Sequence, residues 1–406
     1  MSEEKFKVKY GKNLEDIKAK TPTVLLPVSF GESSLVLLDI IVSQLEEQSA
    51  MNRAHIGYKL VVVIIDESDF DNTKIDIKDH VQKLKEVSGT DLLDKLDIKF
   101  KIIKSESYVT SNRLQKIFLT HDFQSFSGKS ESDLDLDLKT ILLQTSDKST
   151  REDLLNIVRK ETILRTAIAE NCSVILFGHS MSKLADDVLS LAVKGRGSEI
   201  SDNLTDGIIE YERSNLHILH PLRDILFSEI KEYSKLCGLS EISLNISEGT
   251  TVKKSIKNKT INELIKDYFR SVEVEYPEVI STVVKIGSKM AHPPTQDDFQ
   301  IKNCILCSNS IYNDPKHWLE QITVHGGAPL ELEEEKANLE AYLASVKDKK
   351  SDSLIHEADE VVPLCYGCIV NLGTTGQSGF IWPTKRPSKQ EILDEYVLTD
   401  DEGDED

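Results

Sequence analysis

The chain has 406 residues, 69 acidic against 49 basic side chains, a formal net charge of −20 and 39% hydrophobic content. Length and apolar content are those of a globular protein of two or three domains. The charge excludes a chain that grips nucleic acid through one large positive field. No apolar run is long enough to span a bilayer, and the N-terminal Met1-Ser-Glu-Glu-Lys-Phe-Lys7 lacks the apolar segment of a signal peptide, so a cytosolic chain with reduced thiols is expected.

After a lead over residues 1–21, Thr23 to Ser29 reads as a strand and Ser33 to Leu45 as a helix with Leu35, Leu38, Ile41, Val42 and Leu45 on one stripe. Leu60 to Asp66 is a continuous apolar run of the kind buried on both faces of a parallel sheet, and Ile98, Phe100 and Ile102 alternate as another strand. The segment from Asp122 to Thr150 is rich in Ser, Asp and Lys and reads as a mobile polar insertion. Helical spacing returns over 152–170, followed by a short strand from Ser173 to Phe177 and then Gly178-His179-Ser180. A strand and turn from Ile218 to Asp224 leads into a helix from Ile225 to Leu236, with Gly238 suited to its C-terminal end. Alternating strands and helices predict a doubly wound parallel α/β sheet over residues 22–245. Residues 246–299 read as a basic linker and a helix from Ile261 to Tyr276, residues 300–385 as a metal module with a charged, exposed excursion at 332–350, and residues 386–406 as a final segment with a solvated acidic tail.

The module is defined by two Cys-x-x-Cys pairs, Cys304-Ile-Leu-Cys307 and Cys365-Tyr-Gly-Cys368. Two residues between thiolates let one tight turn aim both sulfurs at a single ion, and two such pairs complete the tetrahedron of a structural Zn²⁺. Four unrelated thiols and an iron-sulfur cluster are the competing readings. A closed Cys₄ site leaves no position for a reacting water, so it stabilises a fold. Cys172 and Cys237 stand alone beside apolar residues and are expected to pack as buried hydrophobes. Trp318 and Trp382 are expected to cover the metal module.

Between the first strand and its helix lies Ser29-Phe-Gly-Glu-Ser-Ser34, placed where backbone N–H groups and a helix dipole hold phosphate. It resembles the PP-loop of ATP pyrophosphatases, Ser-Gly-Gly-x-Asp-Ser: Ser29, Gly31 and Ser34 are retained, while Phe30 replaces the first glycine and Ser33 the aspartate. A phenylalanine there obstructs a pyrophosphate and disfavours positive φ, and losing the acid removes a partner for magnesium, so ATP binding and turnover are not expected. Gly178-His179-Ser-Met-Ser-Lys-Leu-Ala-Asp-Asp187 resembles the Gly-His-Asn-x-Asp-Asp-x-Ala-Glu-Thr block of tRNA-thiolating members, Lys194-Gly-Arg-Gly197 the turn closing its helix, and Pro221-Leu-Arg-Asp224 their strand end. With both knuckles, Asn313 to Leu319 and Glu395 to Asp401, the chain resembles the fungal cytoplasmic tRNA 2-thiolation protein 2 family over residues 7–401. The catalytic relatives carry a Cys-x-x-Cys where this chain reads Thr145 to Arg151 without cysteine, and the family usually opens on a cysteine-rich zinc module, whereas no cysteine precedes Cys172 here.

The resemblance implies a PP-loop (adenine nucleotide alpha hydrolase-like) fold and a non-catalytic subunit of the complex that 2-thiolates wobble uridine 34 of cytoplasmic tRNAs for Lys, Glu and Gln. Its implied partners are a catalytic PP-loop thiolase in a heterodimer, tRNA, and a thiocarboxylated ubiquitin-like sulfur carrier. Two alternatives stand beside it, a self-sufficient ATP-dependent tRNA uridine sulfurtransferase and a zinc-dependent scaffold without RNA contact. His179 is read either as a ligand at the sheet's edge or as a structural histidine. Lys194 and Arg196 are read either as phosphate contacts to tRNA or as a helix-end turn. Arg223 and Asp224 are read either as a pair with each other or as caps of the next helix, and Lys253, Lys254, Lys257 and Lys259 as a solvated linker.

Overall fold

The computed structural model describes residues 21–50, 57–68, 76–120, 124–128, 136–212, 214–244, 259–292, 300–315, 332–349, 360–373 and 379–384. The strands in chain order are β1 (Thr23–Pro27), β2 (Lys59–Asp66), β3 (Lys99–Lys104), β4 (Arg113–Leu119), β5 (Ser125–Ser127), β6 (Val174–Leu176), β7 (Gly207–Tyr211), β8 (Ser214–Leu219), β9 (Lys302–Asn303), β10 (Ser310–Ile311), β11 (Glu360–Val361) and β12 (Phe380–Thr384). They fall in two units, residues 1–105 with 147–294 and residues 106–146 with 295–406.

The first unit holds a six-stranded sheet in the order β3-β2-β1-β6-β8-β7, parallel except for the antiparallel edge strand β7. The doubly wound expectation holds, and the chain reverses direction across the sheet between β1 and β6. Period-two alternation sorts β1 onto two cores: Val24 and Leu26 pack with the Glu32–Ala50 helix on one face, Leu25 with Ile163, Leu164, Ala167 and Cys172 on the other. The helix expected from 152 begins at Lys148, because Asp147 accepts the Thr150 N–H at 2.7 Å and caps it. The helix expected from Ile225 begins at Phe227. Asp224 is exposed in the preceding turn and does not cap it. Glu229 accepts the Leu226 N–H at 2.9 Å instead.

Residues 259–292 belong to this unit and form two helices, Ile261–Glu275 and Pro277–Gly287. Ile265, Phe269, Ile280 and Val284 pack there with Leu184, Ala185, Ile200 and Leu204. Thr260 and Glu263 close a reciprocal capping box at the first of these helices. Lys259 pairs with Asp267 at 2.5 Å; Lys253, Lys254 and Lys257 lie outside the described residues.

The second unit corrects the sequence boundaries. The stretch read as a polar insertion supplies β5 to an antiparallel sheet, β11-β5-β4-β12, whose outer strands come from the C-terminal region. Trp382 is fully buried against Phe380, with ring centroids 5.7 Å apart, so it is core to this sheet. Trp318 lies outside the described residues. Gln144 clamps β12 with both amide groups: Ile381 N–H donates to its Oε1 at 2.9 Å and its Nε2 donates to Ile381 O at 3.1 Å. The charged excursion is a helix, Glu333–Lys349, exposed along residues 333–341. Among the described residues no helix is long and apolar enough to cross a membrane.

Candidate functional site

The loop after β1 sits at the reversal point of the sheet, where doubly wound folds bind ligands. Phe30 adopts φ 55°, the left-handed conformation the glycine of the resembled loop permits, and is 1% exposed. Holding a bulky residue there costs roughly 1–2 kcal/mol, whereas burying a phenyl ring returns about 1.5–3 kcal/mol. Burial wins, and the expectation that Phe30 avoids positive φ is corrected. The ring joins the core beneath the loop, edge-on to His80 at 5.8 Å, and Phe30 O accepts Leu244 N–H at 2.9 Å. It therefore ties the loop down and does not stand in the crevice as an obstruction.

The loop's other residues are held by its own backbone. Ser34 Oγ donates to Gly31 O at 2.9 Å, and the same carbonyl accepts the N–H groups of Ser34 and Leu35. Ser29 is exposed, and Ser33, at the place of the magnesium-binding acid, is half-buried. Glu32, in the first helical turn, is 5% exposed, and its Oε2 has no hydrogen-bond partner among the described residues. That carboxyl group occupies the helix N-terminus, the end where the loop's free N–H groups would otherwise face a phosphate. Gly178, at the end of β6, is pressed against this loop: a Cβ there would lie 2.9 Å from Ser34 Cα and 3.2 Å from Ser33 O. The glycine of the Gly-His pair is thus needed for backbone contact between strand end and loop.

His179 stacks with Phe177 and His220, its centroid 5.2 Å and 5.4 Å from theirs, and its Nδ1 is buried without a hydrogen-bond partner among the described residues. Burial pushes its pKa down to about 4. The ring is neutral near pH 7 and supplies no charge to a phosphate. His220, whose backbone N–H donates to Asp206 at 2.9 Å, was not legible as part of this site, because it follows β8 while His179 follows β6.

Lys194 and Arg196 are held elsewhere than expected. The Lys194-Gly-Arg-Gly197 turn closes its helix, with Gly195 at φ 72°, but both side chains turn inward, 9% and 6% exposed. Lys194 Nζ lies 2.5 Å from Asp153 and 2.6 Å from Asn262, while Arg196 lies 3.7 Å from Asp153 and 3.0 Å from Glu199. Committed to these partners, they are structural cations, and the tRNA phosphate contact is corrected on that ground.

The four paired cysteines converge. The β9–β10 hairpin holds the first pair: Cys304 N–H donates to Asn309 O and Ser308 N–H to Cys304 O, both at 2.9 Å, with Ser308 at φ 59°. Cys365 precedes the Tyr366–Gly373 helix and Cys368 lies in its first turn. Ile305 N–H reaches Pro363 O at 3.0 Å, joining the two arms. All four sulfurs lie within 4.8 Å of one another, and Cys307 and Cys365 are 3.6 Å apart. A metal with bonds of 2.3 Å to four thiolates sets them about 3.8 Å apart, so the cage fits a tetrahedral ion. As thiols they crowd: hydrogen bonds with Cys304 and then Cys307 push Cys365 and Cys368 well above the ordinary cysteine range, so metal binding must displace protons. Of the other two cysteines, Cys172 is buried in the core, its thiol pushed up to about 12 by that burial. Cys237 is exposed at a helix C-terminus, which corrects its expected packing role.

Residues 260–370 match the family model described as cytoplasmic tRNA 2-thiolation protein 2. The protein of that name from Debaryomyces hansenii is 41% identical over 416 residues, covering 100% of this chain and 89% of its own length. The chain belongs to the cytoplasmic tRNA 2-thiolation protein 2 family. The Scheffersomyces stipitis member is 36% identical across 99% of this chain and 89% of its own. Among solved structures, the U34-tRNA thiolase NcsA from Methanococcus maripaludis aligns at TM-score 0.43 and 15% identity, covering 70% of this chain and 77% of that one.

Proposed function

We propose that this chain is the non-catalytic subunit of a cytoplasmic complex that 2-thiolates wobble uridine 34 of tRNAs for Lys, Glu and Gln. A PP-loop thiolase partner performs the ATP-dependent step, with sulfur from a thiocarboxylated ubiquitin-like carrier. Family membership supports the tRNA 2-thiolation role. The non-catalytic assignment rests on the loop: the acid that would hold magnesium is Ser33, the neighbouring Glu32 buries a carboxyl group at the helix N-terminus, and Phe30 fixes the loop to the core. The segment Thr145 to Arg151, before the helix that leads into the Gly-His strand, offers no cysteine for sulfur transfer. The four-cysteine cage would hold a structural Zn²⁺, which on binding cross-links the hairpin and helix arms and takes no part in sulfur chemistry.

The experiment is co-purification with the thiolase partner, followed by tRNA thiolation assays with and without this chain. Thiolation should require both subunits, and Ser29→Ala with Ser34→Ala here should cost far less than the matching changes in the partner. ATP conversion to AMP and pyrophosphate by the purified chain without its partner would overturn the assignment.

A further inference from the structure

The Pro277–Gly287 helix buries one apolar face and exposes a second. Ile280, Val284 and Gly287 turn inward, and a Cβ on Gly287 would lie 2.6 Å from Leu204 and 2.8 Å from Val188, so the helix lies close against its neighbours. Val279, Val283, Ile286 and Met290 recur at spacings of four, three and four residues, a stripe along one side of the helix. Val283 is half-buried, whereas Val279, Met290 and Ile286 are exposed, the last at 60%. Val274 of the preceding helix and Tyr276 between the two are exposed as well, Val274 at 84%. A surface helix packed on one side carries polar residues on the other, and a second apolar stripe marks a face that another molecule covers.

Charge along the helix identifies that molecule. Glu275 and Glu278 stand at its N-terminal end and Lys285 and Lys289 at its C-terminal end, all four exposed and none of them in an ion pair among the described residues. Nearby charges are engaged elsewhere: Glu273 accepts from Ser182 Oγ and Ser228 N–H, Asp267 pairs with Lys259, and His292 lies 3.3 Å from Asp202. The helix dipole favours acids first and bases last, but it does not fix their spacing. Thr282 is the midpoint: Glu275 and Lys289 each lie seven residues from it, Glu278 and Val279 four and three before it, Lys285 and Ile286 three and four after it. Turning the helix end for end about Thr282 therefore brings Glu275 opposite Lys289, Glu278 beside Lys285 and Val279 beside Ile286, all in one register. At 100° per residue Glu278 and Lys285 share one flank of the exposed face and Val279 and Ile286 the other, so charge meets opposite charge and apolar meets apolar. Thr282 Oγ1 donates to Glu278 O at 2.9 Å, so covering it strands no hydroxyl. We propose that this face is the contact of a two-fold dimer, its occupant a second copy of this chain packed antiparallel on the same helix. The contact goes beyond the heterodimer with the thiolase and does not rest on it; two such heterodimers would join through it.

A face built on one helix pair is small, so the dimer dissociation constant is expected on the order of 10 μM. The test is sedimentation velocity of the full chain from well below to well above that concentration, alone and co-purified with its thiolase partner. Wild type should pass from monomer to dimer as concentration rises. Ile286→Glu, at an exposed side chain, should raise the dissociation constant about tenfold or more. Glu278→Lys and Lys285→Glu each set like charges together at both symmetry-related contacts and should each weaken the dimer about tenfold. Mixed with one another, these two variants should dimerise with near wild-type affinity, because each reversed charge meets its complement; this measurement decides the matter if Ile286→Glu fails to fold. A wild type that stays monomeric throughout overturns the proposal, as does a dimer that Ile286→Glu leaves unchanged. Charge variants that dissociate and do not recover on mixing overturn it too, since the antiparallel register would be wrong. Loss of thiolase co-purification in Ile286→Glu with self-association intact also overturns it, since the face would then belong to that partner.

Discussion

Asp153 is a carboxylate shared by Lys194 and Arg196, and replacing it with Asn removes the charge while nearly keeping the shape. At separations of 2.5 Å and 3.7 Å, and an effective dielectric near 20, the two attractions are roughly 7 and 4 kcal/mol gross. Desolvation of three nearly buried ions consumes most of that, so the cluster contributes little net stability while intact. Breaking it is different. Lys194 would keep only the neutral Asn262 and Arg196 only Glu199 among the partners named here, leaving a buried ammonium uncompensated at a cost of about 3–5 kcal/mol. For a unit of this size each kcal/mol lowers the midpoint by about 2–4 °C, so Asp153→Asn should lower it by about 10 °C. Replacing the three charges together, Asp153→Leu, Lys194→Met and Arg196→Met, should return stability to near wild type. Thermal unfolding followed by circular dichroism, with metal content measured in parallel, gives both values. A loss under about 1 kcal/mol for Asp153→Asn would show that the cluster behaves as a solvated surface pair, and would return Lys194 and Arg196 to the list of possible RNA contacts.

Cys365→Ser should release the metal and unfold the second unit, since a structural zinc supplies on the order of 10 kcal/mol; elemental analysis should find about one zinc per wild-type chain and none in the variant. Gly178→Ala puts a methyl group 2.9 Å from Ser34 Cα, a backbone clash with no flexible side chain to yield, and should cost about 1–3 kcal/mol in urea unfolding. His179 has its folded pKa lowered to about 4 from an ordinary 6.5, so the fold favours the neutral ring. The stability this contributes is present above pH 6.5 and is lost as pH falls toward 4. His179→Gln should therefore flatten the decline in unfolding free energy between pH 6.5 and 4; an unaltered pH profile would remove this histidine from the account.

Much of the first sheet was legible because β1 and β2 are apolar runs and β3 alternates, β2 reading as a doubly buried strand from Leu60 to Ile64 with no other segment in view, whereas edge strand β7 and the start of β8 were not read. The metal cage was legible from spacing, since each pair is local and only the meeting of the pairs needs the fold. The second sheet was not. β4 reads Arg113-Leu-Gln-Lys-Ile-Phe-Leu119, whose weak alternation acquires meaning only when β12 lies beside it, and β5 has three residues within a polar stretch. The fate of Lys194 and Arg196 was hidden for the same reason. A basic Gly-rich turn looks solvated until Asp153, 41 residues earlier, is brought against it.

The pairing of Ile117 with Phe380 also sets a timetable for synthesis. These partners are 263 residues apart, and at about 5–20 residues per second the ribosome takes roughly 10–50 s to deliver the second after the first. Through that interval the β4–β5 hairpin waits with Leu114, Ile117 and an open strand edge uncovered, while the sheet of the first unit is completed as β6 and β8 emerge. The nascent chain thus carries an unfinished domain looped out of a finished one, and this hairpin is where a chaperone holding the growing polypeptide should be found.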